Sequence, residues 1–84
     1  MKPIFLTPHA RLKATKRGCS EDEVKTTIQT QSWEMNELQK LECRMNFEYN
    51  NFWNGKFYAI KQVRPIFVEE ETEIVVITVY TYYF

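Results

Sequence analysis

The sequence predicts an α+β domain in which an N-terminal strand and two helices precede an antiparallel β-meander of three to four strands. Helix caps and helix-forming residues occur before residue 47, whereas aromatic and β-branched residues dominate after it. A chain of 84 residues matches one small domain. Because the helix signals precede the main strand signals, we expect both helices to cover one face of the sheet.

The first predicted strand is Lys2–Leu6, a short apolar segment. Pro3 lacks a backbone donor, which favours the edge of a sheet. Thr7-Pro8 predicts a helix start, because threonine can cap the first turn and proline is tolerated at the first helical position. The helix is expected to span Pro8–Arg17 and to end at Gly18, since glycine readily adopts the left-handed backbone of a C-terminal cap.

The segment Ser20-Glu21-Asp22-Glu23 is a capping box, which predicts the start of the second helix. Val24 and Ile28 lie one turn apart and are expected to face the core. The end of this helix is not defined, because threonines weaken the helix signal after it starts. Residues 33–41 fit either a further helical turn or a loop.

The hairpin signal Asn54-Gly55 lies between two aromatic runs, and both residues tolerate the positive φ that a type I′ turn requires. Arg64-Pro65 predicts a strand boundary or a sheet edge. The predicted strands of the second half are Phe47–Trp53, Lys56–Val63, Ile66–Glu69 and Glu73–Tyr82.

Several classes of protein find no support in the residues present. Gly18 and Gly55 are the only glycines, so a glycine-rich phosphate loop is missing. His9 is the only histidine, so neither a metal site nor a serine or cysteine nucleophile with its base is predicted. Cys19 and Cys43 are expected to be reduced and partly buried. We therefore expect no cofactor and no metal ion.

No apolar segment reaches the length of about 20 residues that a membrane-spanning helix needs. The N-terminus also lacks the apolar stretch of a secretory signal peptide. The sequence therefore predicts a cytoplasmic protein with no membrane partner.

The charges are balanced, with 11 basic and 11 acidic residues, but they are unevenly distributed. Residues 1–18 contain five basic residues and no acidic one, and residues 49–68 contain three and none. If the fold brings these two segments together, they form a cationic face that attracts phosphate. Ordinary solvated side chains explain the same pattern.

His9, Lys13 and Arg17 follow each other at spacings of four residues, so a helix places them in one stripe. Lysine and arginine in such a stripe can bind phosphate, although a solvated helix face is the alternative. His9 and Tyr80 are candidates for proton transfer, although a lone histidine and a tyrosine on a terminal strand are often structural. The candidate nucleic-acid-binding residues are Lys13, Lys16, Lys61 and Arg64.

Three segments resemble the small bacterial family known as DUF4258. The matching segments are Thr7-Pro8-His9-Ala10, then Arg17-Gly18-Cys19-Ser20-Glu21-Asp22-Glu23-Val24, and finally Ile74-Val75-Val76-Ile77-Thr78-Val79-Tyr80. Lys13 stands where the motif of that family has an arginine. Roughly residues 30–49 match nothing recognisable. The family looks similar in its order of elements to toxins of the RelE, ParE and BrnT type.

The resemblance implies a RelE-like fold and a metal-independent ribonuclease of a toxin–antitoxin pair. It implies a catalytic role for His9, Arg17 and Tyr80, and it implies RNA or the ribosome and an antitoxin as partners. Two features argue against RNA cleavage: the net charge is zero, and Lys13 lacks the bidentate geometry of arginine. The alternative is a non-catalytic protein-interaction module that forms a homodimer or binds another protein.

Overall fold

A computed structural model describes residues 1–84, and its architecture is α+β, as predicted. Two helices cover one face of a six-stranded mixed sheet. The elements in chain order are β1 (Ile4–Leu6), α1 (Pro8–Lys16), α2 (Glu21–Thr30), β2 (Glu34–Met35), β3 (Leu41–Glu42), β4 (Met45–Trp53), β5 (Lys56–Glu69) and β6 (Ile74–Tyr83). Neither helix is long and apolar enough to cross a membrane.

The sheet has the order β1-β6-β5-β3-β2, and β4 also pairs with β5. β4, β5 and β6 form the predicted antiparallel meander, whereas β1 lies parallel to β6. The hairpin predicted at Asn54-Gly55 is present, with a φ of 50° at Asn54 and 81° at Gly55. β2 lies within residues 33–41 and β3 begins there, although the sequence favours a helical turn or a loop for that segment.

The boundary predicted at Arg64-Pro65 is wrong, because β5 continues through Pro65. The proline lies opposite the two-residue gap between β3 and β4, which hold the same register against β5 on either side. Since proline has no N–H to donate, the ladder is interrupted on the partner strand at Cys43 and Arg44 while β5 itself stays extended. On the other side of β5, Pro65 still lies opposite Val79 of β6.

Both helices begin at the predicted caps. The Thr7 hydroxyl accepts a hydrogen bond from the Ala10 amide at 3.1 Å, and Ser20 and Glu23 form the reciprocal capping box at 3.1 and 2.9 Å. α1 ends one residue earlier than expected, with Arg17 as its C-cap. The core between helices and sheet consists of Leu6, Ala10, Ala14, Cys19, Val24, Ile28, Cys43, Val63, Phe67, Ile74, Val76 and Val79.

A β-bulge in β6 determines which side chains reach the face of the sheet that the helices leave uncovered. Ile66 lies opposite Thr78 and Phe67 lies opposite Val76, so Ile77 is an extra residue in β6. Before the bulge the even-numbered Val76 faces the helices, and after it the odd-numbered Val79 does. Tyr80 therefore points to the uncovered face, which we call the open face.

Candidate functional site

Three of the predicted site residues meet on the open face: Arg17, Arg64 and Tyr80, here called the Tyr80 cluster. The Tyr80 side chain is 39% exposed. The guanidinium carbon of Arg17 lies 4.9 Å from the centre of the Tyr80 ring, and that of Arg64 lies 5.5 Å away. Both distances are within the range of cation–π attraction, so the ring holds two cations near one position.

Arg17 reaches the cluster across a free sheet edge. β1 pairs with β6 only as far as Val76, which leaves the following backbone unpaired on that side. The Nη1 atom of Arg17 donates to the Val79 carbonyl at 2.7 Å. The carbonyl of Arg17 accepts hydrogen bonds from the hydroxyls of Thr81 at 2.8 Å and Tyr83 at 2.7 Å. These bonds hold the end of α1 against the edge of the sheet.

Arg64 extends from β5 and forms a two-pronged ion pair with Glu42 of β3. Its Nε donates to Oε2 of Glu42 at 2.6 Å, and its Nη2 donates to Oε1 at 3.1 Å. Its Nη1 donates to the Tyr82 hydroxyl at 3.0 Å. The hydrogen bonds from Arg64 lower the pKa of Glu42, and the Glu42 carboxylate raises the pKa of Arg64. Both groups are therefore charged at neutral pH.

A groove of about 300 Å³ lies beside the Tyr80 cluster, between the β2–β3 loop and β6. Leu38, Ile66 and Ile77 form its apolar walls. Asn36 and Lys40 lie at its border, together with two members of the Tyr80 cluster. The open face therefore combines fixed cations with an apolar depression.

Lys61 does not lie on the open face, which corrects the expectation that it shares a cationic surface with Arg64. It faces the helices with a relative exposure of 6%. Its Nζ contacts Oε1 of Glu23 at 2.9 Å and donates to the Gly18 carbonyl at 2.8 Å. The ammonium of Lys61 is thus fully engaged inside the protein, where it ties β5 to the start of α2.

His9, Lys13 and Lys16 lie on α1, apart from the Tyr80 cluster. No hydrogen bond or ion pair joins them to it, and His9 and Lys16 are exposed. Helical spacing places all three on the flank opposite Arg11, which pairs with Glu21 of α2. The predicted stripe is therefore present, but only its last member reaches the open face.

The site also contains residues that sequence reasoning missed. Glu42 belongs to a two-residue strand that is too short to show a period, so no sequence signal identifies it. Tyr82 lies two residues beyond Tyr80, and strand alternation alone places both on one face. Leu38 and Lys40 belong to a loop that no sequence pattern placed near β6.

No family model, curated protein or solved structure matches this chain. No three side chains of His, Cys, Asp or Glu lie together in an arrangement that holds a metal ion. Cys19 and Cys43 are free and buried, and burial raises the pKa of Cys19 to about 12 and that of Cys43 to about 11. Both thiols are therefore protonated and unreactive at neutral pH. Within the Tyr80 cluster, the groups available for chemistry are guanidinium donors and a tyrosine hydroxyl.

Proposed function

We propose that this protein is a RelE-like domain that binds single-stranded RNA at the Tyr80 cluster. The supporting observation is an exposed tyrosine ring flanked by two guanidinium groups on the open face. Guanidinium groups bind phosphate oxygens, and aromatic rings stack with bases of any sequence. The guanidinium of Arg17 forms only one hydrogen bond to the protein, to the Val79 carbonyl, so its remaining N–H donors are free to bind phosphate.

The exposed flank of α1 extends this surface. His9, Lys13 and Lys16 lie on the side of the helix from which Arg17 crosses to β6. An RNA backbone that contacts Arg17 can therefore continue along α1. Because the net charge of the whole chain is zero, this attraction acts locally and weakens with salt.

The same cluster supports cleavage as the reaction. The RNA 2′-hydroxyl attacks the adjacent phosphorus, a new P–O2′ bond forms, and the P–O5′ bond breaks to leave a 2′,3′-cyclic phosphate. Arg17 and Arg64 stabilise the added negative charge. Tyr80 donates its proton to the departing 5′ oxygen, and water accepts the proton of the 2′-hydroxyl. His9 lies on α1 outside the cluster, so its catalytic role remains a prediction.

Replacing Arg17 with glutamine is expected to weaken RNA binding about ten-fold, because one phosphate contact is lost. Fluorescence anisotropy with a short labelled single-stranded RNA measures the affinity at several salt concentrations. The slope of log K against log salt should fall by about 0.7 for one lost contact. The matched control is Arg11→Gln, since Arg11 also donates to a backbone carbonyl, that of Leu6, but on the opposite flank of α1. Equal losses in the two variants would contradict the proposed site.

Replacing Tyr80 with phenylalanine is expected to lower cleavage at least about 100-fold while leaving RNA binding within about two-fold, because only the proton donor is removed. RNA cleavage is followed with and without ribosomes and in the presence of EDTA. Tyr82→Phe is the control, since it removes the neighbouring hydroxyl that Arg64 contacts. Binding without cleavage by the unmodified protein would limit the function to RNA binding.

A protein-interaction module remains the second candidate, supported by a different surface. Phe52 and Phe57 form an exposed edge-to-face pair near the tip of the β4–β5 hairpin, with ring centres 5.7 Å apart. Exposed aromatic pairs are common at protein interfaces. Sedimentation of the purified chain separates a 10.2 kDa monomer from a homodimer, and Phe57→Ser shifts the equilibrium to monomer only if this patch is the interface.

A further inference from the structure

We propose that the groove beside the Tyr80 cluster holds the base of a nucleotide whose phosphate contacts Arg17. This inference rests on the proposed RNA binding and adds a base-recognition site to it. The groove borders Tyr80 directly, since that residue contributes to its lining. A nucleotide joins a planar, largely apolar base to an anionic phosphate, and the open face presents an apolar groove next to cations.

The size and walls of the groove fit one base with its sugar. Its volume of about 300 Å³ lies at the lower end of the range for small-ligand sites, roughly 300–1,000 Å³. Leu38, Ile66 and Ile77 provide apolar surface against which a flat ring can pack. Lys40 supplies a polar group at the border, where the edge of a base carries its donors and acceptors.

The β2–β3 loop holds Leu38 in position before any ligand binds. The side-chain oxygen of Asn36 accepts hydrogen bonds from the amides of Leu38 and Lys40, both at 3.0 Å. Gln39 has a φ of 60°, which completes the tight turn. Leu38 is 77% exposed. Because hydrogen bonds already hold its loop, little conformational entropy is lost when a base covers Leu38.

The charges around the groove favour an anionic occupant. Lys40 and Arg64 lie in its lining, and Arg17 is adjacent through Tyr80. Arg64 is balanced by its ion pair with Glu42. By contrast, Lys40 and Arg17 form no ion pair with a carboxylate. Lys40 and Arg17 therefore attract an anionic nucleotide chain, which favours RNA over a neutral apolar peptide as the occupant.

The test compares an intact single-stranded RNA with an abasic RNA of the same length. We expect the unmodified protein to bind the intact RNA about ten-fold more tightly, which is the effect of about one stacked base. Leu38→Ala should reduce this preference to about two-fold without changing affinity for the abasic RNA. Phe52→Ala is the control, because Phe52 is exposed on β4, outside both the groove and the exposed flank of α1. Leu38 is largely exposed, so its truncation should not impair folding.

The possible outcomes separate this inference from the proposed function. Equal binding of intact and abasic RNA, with Arg17 still required, overturns the base site and leaves RNA binding in place. If Leu38→Ala keeps the full preference for intact over abasic RNA, the base site is likewise overturned and RNA binding is left in place. Failure of both RNAs to bind overturns both proposals. Backbone amide NMR signals of Leu38 and Lys40 should shift with intact RNA and stay still with abasic RNA, and the absence of that difference would assign the groove to another occupant.

Discussion

Replacing Gly18 with alanine is expected to lower the free energy of unfolding by about 2–5 kcal/mol, combining backbone strain with overpacking. Gly18 has a φ of 74°, a left-handed conformation that side chains disfavour. An added Cβ would lie 2.5 Å from the Tyr83 hydroxyl and 2.6 Å from Cζ3 of Trp53. The total is a large share of the roughly 5–15 kcal/mol that stabilises a typical domain.

The neighbours of Gly18 cannot easily move away. The Tyr83 hydroxyl donates to the Arg17 carbonyl at 2.7 Å, and the Trp53 ring stacks on Tyr83 with centres 4.9 Å apart. Burial raises the pKa of Tyr83 to about 12, so this hydroxyl keeps its proton and its hydrogen bond at neutral pH. Displacing either ring costs packing as well as a bond that holds Arg17 in place.

Gly55→Ala provides the matched control for this prediction. Gly55 has a φ of 81°, but nothing lies within 4 Å of the position of its added Cβ. Its replacement therefore introduces strain of about 1–2 kcal/mol without overpacking. Urea unfolding measures both variants. Equal destabilisation of Gly18→Ala and Gly55→Ala would show that Trp53 and Tyr83 do not confine Gly18.

Replacing Glu42 with glutamine is expected to lower the free energy of unfolding at neutral pH by about 1.5–3 kcal/mol, the range for hydrogen bonds to charged groups. Glu42 is 6% exposed and carries both prongs of the pair with Arg64. Because its folded-state pKa is lowered, its stabilisation is present above the unfolded-state pKa of about 4.3. It is lost as the pH falls through the lower folded-state pKa.

The difference between the unmodified protein and Glu42→Gln should therefore shrink in acid. Urea unfolding across a pH series measures it, with Glu37→Gln as the control. Glu37 is an exposed residue of the neighbouring loop, so its replacement should change stability by less than about 0.5 kcal/mol. Stability curves for Glu42→Gln and the unmodified protein that run parallel down to low pH would contradict this account.

Local signals in the sequence are sufficient to predict the helices and the hairpin. The hydrogen bonds of Thr7 and of the Ser20–Glu23 capping box form within four residues, so they depend only on neighbours in sequence. β2 and β3 contain two residues each and depend on pairing within the sheet, since β3 pairs with β5 and β2 pairs with β3. β5 also continues past Pro65, because this proline lies opposite the gap between β3 and β4, where no hydrogen bond from its backbone nitrogen is needed.

The candidate site depends on features that no local pattern contains. Simple alternation from Ile74 would place Tyr80 against the helices, and the bulge at Ile77 moves it to the open face. Nothing in the sequence distinguishes Lys61 from a surface lysine, but in the structure it is buried and forms an ion pair with Glu23. Helical spacing predicts the stripe of His9, Lys13 and Arg17. Only the tertiary contact with Val79 shows that Arg17 is the residue of this stripe that joins the Tyr80 cluster.

The parallel pairing of β1 with β6 determines when this protein can fold during its synthesis. Ile4 lies opposite Ile74, so the first strand has no partner until β6 has been synthesised. α1 and α2, of nine and ten residues, emerge earlier and are too short to be stable alone in water. Arg17 and Tyr80 are therefore brought together only after translation of β6, and every shorter nascent chain lacks the Tyr80 cluster.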